Sequence, residues 1–478
     1  MCAALSAAEQ GVKVLVLEKA TKEDRGGNST FTAGGFRFCH DGVEDLRGDI
    51  LDDMTPGEYD SIGNLPAFSE EQFMDTLMRI TEHQCDPDLA QILVSKSRET
   101  MRWMRTHKIR FIPMFGRQSF KIDGKHHFYG GVNIEAVGGG WGLVDMLMNA
   151  AERMGITVLY ETGLRELIQD EKGAVTGVRA FGPDGYVNFS AKSVVLACGG
   201  FESNPEMRVR YLGQGWELCR VRGTQHNTGD GINAALKIGA RPHGGWSSCH
   251  AVQWDISAPP YGDRVVLDNF QKHSYPIGIV VNLDGKRFID EGADYRNHTY
   301  AKYGKEVMKQ PQRTAIQIFD EKTHGMVRDE YRIREVTKAS GETIAELAKA
   351  LDINVDGLEA TVREFNAACQ PGEYNPSILD GVCTKGLEVP KSNWALPIDQ
   401  GPFHGYVVTC GITFTFGGLK INTDAQVLDL TDRPIPGLYA AGELVGGIFF
   451  QNYPGGTGLL NGSVFGKLAG ANAGQAAK

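Results

Sequence analysis

The stretch Val12-Lys13-Val14-Leu15-Val16-Leu17-Glu18 decides how this chain folds. It is short, aliphatic and β-branched and closes on an acid, the pattern of a strand buried in a parallel sheet. Just before it, Ala3 to Gln10 have good helix propensity, and Gly11 stands where a helix ends in the left-handed conformation. A helix feeding such a strand, with a carboxylate at the strand's end, is the second half of a βαβ dinucleotide-binding unit. There Glu18 would accept hydrogen bonds from ribose hydroxyls. The unit also needs a first strand and a G-x-G-x-x-G turn whose bare amides hold a pyrophosphate. Neither stands ahead of Ala3. We expect that the start is truncated or misassigned, or that the element has been lost.

Working outward, Gly26-Gly27-Asn28-Ser29-Thr30-Phe31-Thr32-Ala33-Gly34-Gly35-Phe36 sets two glycine pairs around small polar residues. Such a loop can bring several N–H groups and a hydroxyl close to a diphosphate or a flavin edge; a flexible linker is the alternative. Gly138-Gly139-Gly140 precedes the amphipathic run Leu143 to Ala151, and the strand Thr157 to Tyr160 follows. Glu166-Leu167-Ile168 and Val175-Thr176-Gly177-Val178 flank a turn at Asp170 to Gly173. Val194-Val195-Leu196-Ala197-Cys198-Gly199-Gly200 is a buried strand ending in paired glycines. This succession resembles the FAD-binding half of a glutathione-reductase-like fold, and its closing elements lie far away. Gly437 to Glu443 reads as a strand and a glycine-acid turn, and Tyr453 to Leu460 leads into a C-terminal helix. Amides at that helix start would face the flavin where negative charge develops on reduction.

The expected architecture is therefore α/β: a discontinuous FAD-binding domain over 1–244 and 398–478, and an inserted α+β cap over 245–397. The insert holds helices at Ile344 to Leu351 and Leu358 to Ala368, and a loop from Pro371 to Pro376. A cap over the flavin supplies the closed, dry interface that hydride chemistry needs.

Composition narrows the function further. The 478 residues are 41% hydrophobic and 23% charged, and 49 basic against 59 acidic residues give a net charge of -10 with no basic block. Nucleic acid is excluded as a partner on that ground. The nine cysteines are dispersed and form no C-x-x-C pair, which points to free thiols in a reducing compartment. No long apolar run or signal-like start is present. A cytoplasmic location is expected.

Val14 to Glu18, Gly26 to Phe36, Thr228-Gly229-Asp230-Gly231, Gly285-Lys286-Arg287-Phe288 with Glu291, Gly417-Gly418, Gly437 to Glu443 and Gly455 to Gly466 occur in this order along nearly the whole chain. As a set they resemble the FAD-dependent fumarate reductase, succinate dehydrogenase and 3-ketosteroid dehydrogenase superfamily. Within it, Gly-Gly-Asn-Ser-x-x-Thr-Ala-Gly, the run Asp290 to Asn297 and Asn452 to Gly456 are similar to the FAD-dependent tricarballylate dehydrogenases. The resemblance implies oxidation of tricarballylate to cis-aconitate, with electrons passed to a membrane-associated iron–sulfur and haem protein. It also implies cofactor contacts at Glu18, Lys19, Gly27, Asn28, Ser29, Ala33, Gly34, Gly35, Ala197, Gly199, Gly229, Asp230, Gly442, Glu443, Gly458, Leu459 and Leu460. Succinate dehydrogenases tether the flavin to a His beside the small-residue loop; Asn28-Ser29-Thr30 has none, so FAD is expected to be non-covalent.

Departures from the family pattern bear on the substrate. Fumarate reductases carry a His pair where this chain has Thr413 and Phe414, and an Arg where it has Tyr453. Loss of those cations weakens the fumarate reading, because a buried carboxylate without a positive partner is costly. Their proton-donating Arg falls at Tyr295, with Arg296 one residue further on. Ketosteroid dehydrogenases have Tyr at the positions of Tyr295 and Tyr453, which keeps a steroid in contention. Arg296 favours a polycarboxylate, since guanidinium binds carboxylates in bidentate fashion.

Tyr295, Arg296 and Tyr453 are the catalytic candidates, and Thr413, Arg296 and Tyr453 the substrate contacts. Arg296 would serve as a base only with a relay to an acid such as Glu291. Arg287 reads as structural, and Lys125-His126-His127, Arg117 and His273 as solvated loop residues. Trp103, Trp141 and Trp254 read as core or cap-interface residues. Thr228 to Gly231 serves either the flavin ribityl chain or a helix start. The competing functional readings are a steroid-type dehydrogenase, a fumarate reductase-like enzyme, and a flavin-free inactive relative.

Overall fold

The computed structural model describes residues 1–478. Helix Cys2–Glu9 is buried from Cys2 to Ala7 and packs along the C-terminal helix Thr457–Ala476. The two backbones come close because Gly466, Gly470 and Gly474, one turn apart, leave room for Cys2, Ala3 and Ala7. Gly11 has φ +78°, the left-handed helix end that its position requires. It turns the chain into the strand Leu15–Leu17, which pairs in parallel with Thr157–Leu159.

That strand was expected to be buried, yet Leu15 is 42% exposed. Its only sheet neighbour is Thr157–Leu159, so one backbone edge and part of the side-chain surface remain open. Val194–Leu196 shows the same departure. It pairs in parallel with Leu438–Ala440 alone, and Cys198 beyond it is exposed. These two parallel strands thus lie in separate small sheets. The hairpin reading holds: Gly163–Gln169, Val175–Gly182 and Gly185–Ser190 make an antiparallel sheet. Its first turn is fixed by Asp170, whose carboxylate accepts the N–H groups of Lys172 and Ala174, both at 2.9 Å.

The segment between 245 and 397 is organised around the strand Phe403–Leu419. It pairs antiparallel with Pro242–Asp255, Ala315–Phe319 and Lys338–Gly341, and in parallel with Arg220–Val221. The two long strands, bulged between Gly245 and Cys249 and at His250, run from the Pro242–Leu419 end into the sheet that also holds Ala315–Phe319 and Lys338–Gly341. There, helices Ile344–Ala350 and Val355–Ala368 cover the sheet through Leu347, Leu358 and Phe365 against Ile279, Ile316 and Ile318. Thr343 starts the first of them as a capping box with Glu346. Helix Arg296–Met308 is pressed onto Pro242–Asp255, because Gly304 faces the Ala251 backbone with no side chain between.

Trp254 is buried in the core, Trp103 donates its indole N–H to Glu9 at 2.9 Å, and Trp141 is 37% exposed beneath the Arg264 guanidinium. All nine cysteines are free, and no helix is long and apolar enough to cross a membrane.

Candidate active site

The ends of the two parallel strand pairs and the glycine loops face one another across a crevice. Glu18 closes its strand and accepts the Ala20 N–H at 2.9 Å and the Gly26 N–H at 3.5 Å. Lys19 reaches Thr228 Oγ1 and Asp230, both at 2.6 Å. This ties the strand end to helix Asp230–Lys237, whose N-cap is Gly229 with φ 81°. In the loop, Gly27–Phe31 makes a single tight turn, and Thr32 Oγ1 accepts the Gly34 N–H at 3.1 Å. Gly34, Ser29 and Ala33 pack directly on Gly139 and Gly140 at the start of helix Gly139–Arg153, while Gly35 pairs with Glu135. Asn28 is fully engaged: it donates to Glu202 at 2.6 Å and to the Thr413 carbonyl at 2.7 Å, and accepts the Thr224 N–H at 2.8 Å.

Across the crevice, Ala197 and Gly199 follow the strand Val194–Leu196, with Gly199 against Asn227. Glu443, next to Gly442, accepts the Thr415 N–H at 2.8 Å. Burial pushes the Glu443 carboxyl up, and burial plus the Glu443 charge pushes Glu202 well above the usual carboxylate range. Gly458, Leu459 and Leu460 form the first turn of the C-terminal helix.

A second cluster adjoins this crevice at Tyr453, whose hydroxyl accepts the Gly458 N–H at 2.9 Å. The Tyr453 ring stacks on His250 with centroids 4.8 Å apart. His250 meets Tyr300 edge-on at 4.8 Å. Tyr300 in turn meets His273 at 5.0 Å and carries the Arg296 guanidinium 5.3 Å above its ring. Tyr300 follows Arg296 by four residues and so shares its helix face. Buried Arg37 and Arg222 complete the cluster, both acting electrostatically on Tyr300 and Tyr453.

Arg222 donates to Thr413 Oγ1 at 3.4 Å and lies 3.5 Å from Asp268. Arg37 is held by the Gly455 carbonyl at 3.0 Å and by His298, and Arg296 by Gln118 and the Arg117 carbonyl. Neither Arg37 nor Arg296 has a carboxylate partner. Arg37 Nη1, Arg222 Nε, Arg296 Nε, His250 Nε2 and both His273 ring nitrogens make no hydrogen bond. Burial brings Arg37 and Arg296 down to about 10 and holds His250 and His273 well below the usual histidine range. Burial pushes the Tyr453 phenol up. The two imidazoles are therefore neutral and the phenol protonated at neutral pH. His273 and Arg296 also line a small cleft with Tyr129, Arg328 and Trp394.

Several expectations are corrected by this geometry. Glu291 is taken by Arg287 in a two-point pair at 3.0 and 2.5 Å and by the Val280 N–H at 2.7 Å, so it gives Arg296 no relay. Arg287 is structural, as expected. His273 is 1% exposed, and Arg117 is paired with Asp268 at 2.6 Å; neither belongs to a solvated loop. Lys125 and both following histidines sit on a hairpin strand, Lys125–Phe128. Tyr295 stacks on Tyr129 at 5.7 Å and leans on Trp394.

Residues 1–460 match the FAD binding domain family. The chain belongs to this family. It is an FAD-dependent oxidoreductase of the fumarate reductase and succinate dehydrogenase superfamily. A probable fumarate reductase of Shewanella frigidimarina is 29% identical over 478 residues, covering 98% of this chain and 72% of that protein. The open conformation of a flavocytochrome c3 fumarate reductase superposes with a TM-score of 0.71 at 27% identity, over 100% of this chain and 76% of that one. A 3-ketosteroid Δ1-dehydrogenase from Sterolibacterium denitrificans shares the fold, with a TM-score of 0.73 at 21% identity, over 99% and 97% of the two chains.

The residues present fit the cofactor of this FAD-dependent family. A Cβ on Gly27 would touch only Asn227 Oδ1 and one on Gly442 only the Gly462 Cα, each at 3.9 Å, so both backbones tolerate close approach by a ligand. Glu202 Oε2 is buried there without a partner. Asn28 of the Gly27 to Gly35 loop and Asn227 beside Gly199 both donate to Glu202 at 2.6 Å, and Asn227 donates to Glu443 at 3.5 Å, so the two sides meet at Glu202. Arg37, Arg222, His250, His273 and Tyr300 were not singled out as site residues in the sequence. One available signal was Phe36-Arg37-Phe38, an arginine set between two side chains that are each 1% exposed. The other was the four-residue spacing of Arg296 and Tyr300.

Proposed function

We propose that this oxidoreductase dehydrogenates a small polycarboxylate at a carbon–carbon bond, with tricarballylate going to cis-aconitate as the leading pair. The supporting observation is the pair Arg37 and Arg296 near Tyr300, neither with a carboxylate partner, beside Arg222, which lies 3.5 Å from Asp268. Buried guanidinium groups that lack counter-ions are costly unless a ligand supplies the negative charge. A substrate with several carboxylates would supply it, and each carboxylate could take a two-point hydrogen bond. A steroid would leave Arg37 and Arg296 unpaired, although its rings would suit Tyr453, Phe414 and Phe449.

Bound FAD supplies the hydride acceptor at its N5. The chain's own residues handle the proton and the geometry. His273, buried, neutral and with both ring nitrogens free, is our candidate to take the proton from the carbon next to a carboxylate. Its basicity is held down by burial and by Arg296 and Arg222, and a carboxylate placed on those arginines restores it. Tyr453 keeps its phenolic proton and is aimed by Gly458, so it acts as a hydrogen-bond donor to substrate. Thr413 positions Arg222. The inserted segment acts as the cap that brings Arg296 and Tyr300 over the crevice, with FAD held non-covalently in a glutathione-reductase-like domain. Electrons would leave to an iron–sulfur and haem acceptor.

Anaerobic addition of tricarballylate to the purified protein tests this reading by the visible flavin spectrum. Bleaching is the expected outcome. An oxidised spectrum that persists with tricarballylate and bleaches with a 3-ketosteroid would overturn the polycarboxylate assignment.

A further inference from the structure

Away from the crevice, one group of side chains has metal-ligating chemistry and takes no part in the reaction. Glu321 and His324 stand three residues apart on the short helix Glu321–His324, and His404 faces them from the strand Phe403–Leu419. One ligand atom from each lies within 4.8 Å of the other two. The two imidazoles are stacked, with ring centroids 3.5 Å apart and planes 11° from parallel. Each ring has one nitrogen already engaged. His404 Nδ1 meets Ser340 Oγ at 2.9 Å, and His324 Nε2 meets the Tyr406 hydroxyl at 2.9 Å. A hydroxyl can donate or accept, so both contacts hold their rings in place with either tautomer. His404 Nε2 lies 3.4 Å from Glu321 Oε2. Outer hydroxyls that hold two imidazoles, beside a carboxylate, are surroundings that ligating histidines have.

We propose that Glu321, His324 and His404 form an open, three-ligand site for a borderline divalent transition ion of the Zn²⁺ class, with water as the fourth ligand. Two imidazoles and one carboxylate suit that class, whereas Mg²⁺ and Ca²⁺ prefer all-oxygen sets. The rings need only tilt out of their stack about a soft terminal torsion to converge on one ion. Glu321 is 51% exposed, so the ion enters directly from solvent. The neighbouring Lys322 does not occupy the site, since its ammonium is held by Asp320 at 2.8 Å and by Asp399. An ion bound there ties helix Glu321–His324 to the long strand, four residues ahead of the cleft residue Arg328.

The test is a Zn²⁺ titration of the flavin-loaded protein by isothermal calorimetry, after alkylation of its free thiols. We expect one equivalent per chain, lost in both His324→Ala and His404→Ala. Glu321→Gln, at an exposed position, should weaken binding at least about tenfold, and Ser340→Ala, which keeps all three ligands, about tenfold. Flavin content and thermal midpoint establish that each variant is folded; should a histidine variant fail this check, Glu321→Gln and Ser340→Ala carry the test. Absence of binding in the parent protein, or an unchanged affinity in folded His404→Ala or in Glu321→Gln, overturns the site.

Discussion

Tyr453 joins the two halves of the chemistry, because its hydroxyl accepts an amide of the flavin-side helix while its ring stacks on His250. Tyr453→Phe keeps the ring and loses only the hydroxyl. Its flavin absorbance should match the parent, and kcat should fall roughly 100-fold if the phenol donates to the reacting group; stopped-flow reduction of the flavin reads this directly. In the proposed reading Arg296 binds substrate and does not transfer a proton. Arg296→Met should raise KM for a polycarboxylate by roughly 10- to 100-fold, the loss of one charge-assisted hydrogen bond, and leave turnover of a neutral ketone unchanged. Equal losses on both substrates would count against a carboxylate clamp.

Elements set the distances among these residues. Helix Arg296–Met308 carries Arg296 and Tyr300, and strand Pro242–Asp255 carries His250; they meet where Gly304 faces the Ala251 backbone. A methyl group at residue 304 overlaps the Ala251 carbonyl and must push the helix outward. Gly304→Ala should lower stability by about 1–3 kcal/mol and separate Tyr300 from His250. The expected result is a lower thermal midpoint together with a kcat/KM loss of at least about tenfold, since catalysis is sensitive to small misplacements. A stable variant with full activity would show that the helix position is not critical.

For the whole molecule, the contact between the two halves carries a pH dependence. Glu135 pairs with the glycine loop at Gly35 and lies near the Arg117–Asp268 ion pair; burial raises its carboxyl from the ordinary 4.5 to about 7. Above pH 4.5 the unfolded chain ionises this group while the folded one keeps it protonated, so its stabilising contribution is lost as pH rises to about 7. Glu135→Gln removes that loss. Its thermal midpoint should gain on the parent between pH 5 and 8, by up to about 3 kcal/mol of stability, and a pH-independent difference would refute the assignment. The flavin belongs to the same scale, because its crevice is built from both ends of the chain. Acid precipitation should release it fully into the supernatant, as Asn28-Ser29-Thr30 offers no histidine for a covalent link.

Local order was legible in the chain itself. The run Val12 to Glu18, the helix end at Gly11, the hairpin turn at Asp170 and the glycine pairs each depend on neighbours within a few residues, so their periodicity and turn chemistry sufficed. The crevice was legible for the same reason, because close backbone approach demands glycine wherever it occurs. Burial of Leu15 and Val194 was misjudged, since burial depends on whether a strand has two sheet neighbours, and no local pattern records that. The catalytic cluster lay further out of reach. Tyr453 and Arg296 were legible, whereas Arg37, Arg222, His250, His273 and Tyr300 come from segments up to about two hundred and sixty residues apart, and each looks ordinary among its own neighbours. The chemical kind of the protein was thus determined by the sequence alone, through its glycines and strand-end acids. Only the tertiary structure decided which arginines are left without a counter-ion and which histidines stay neutral, because desolvation and charge pairing exist only once distant segments have met.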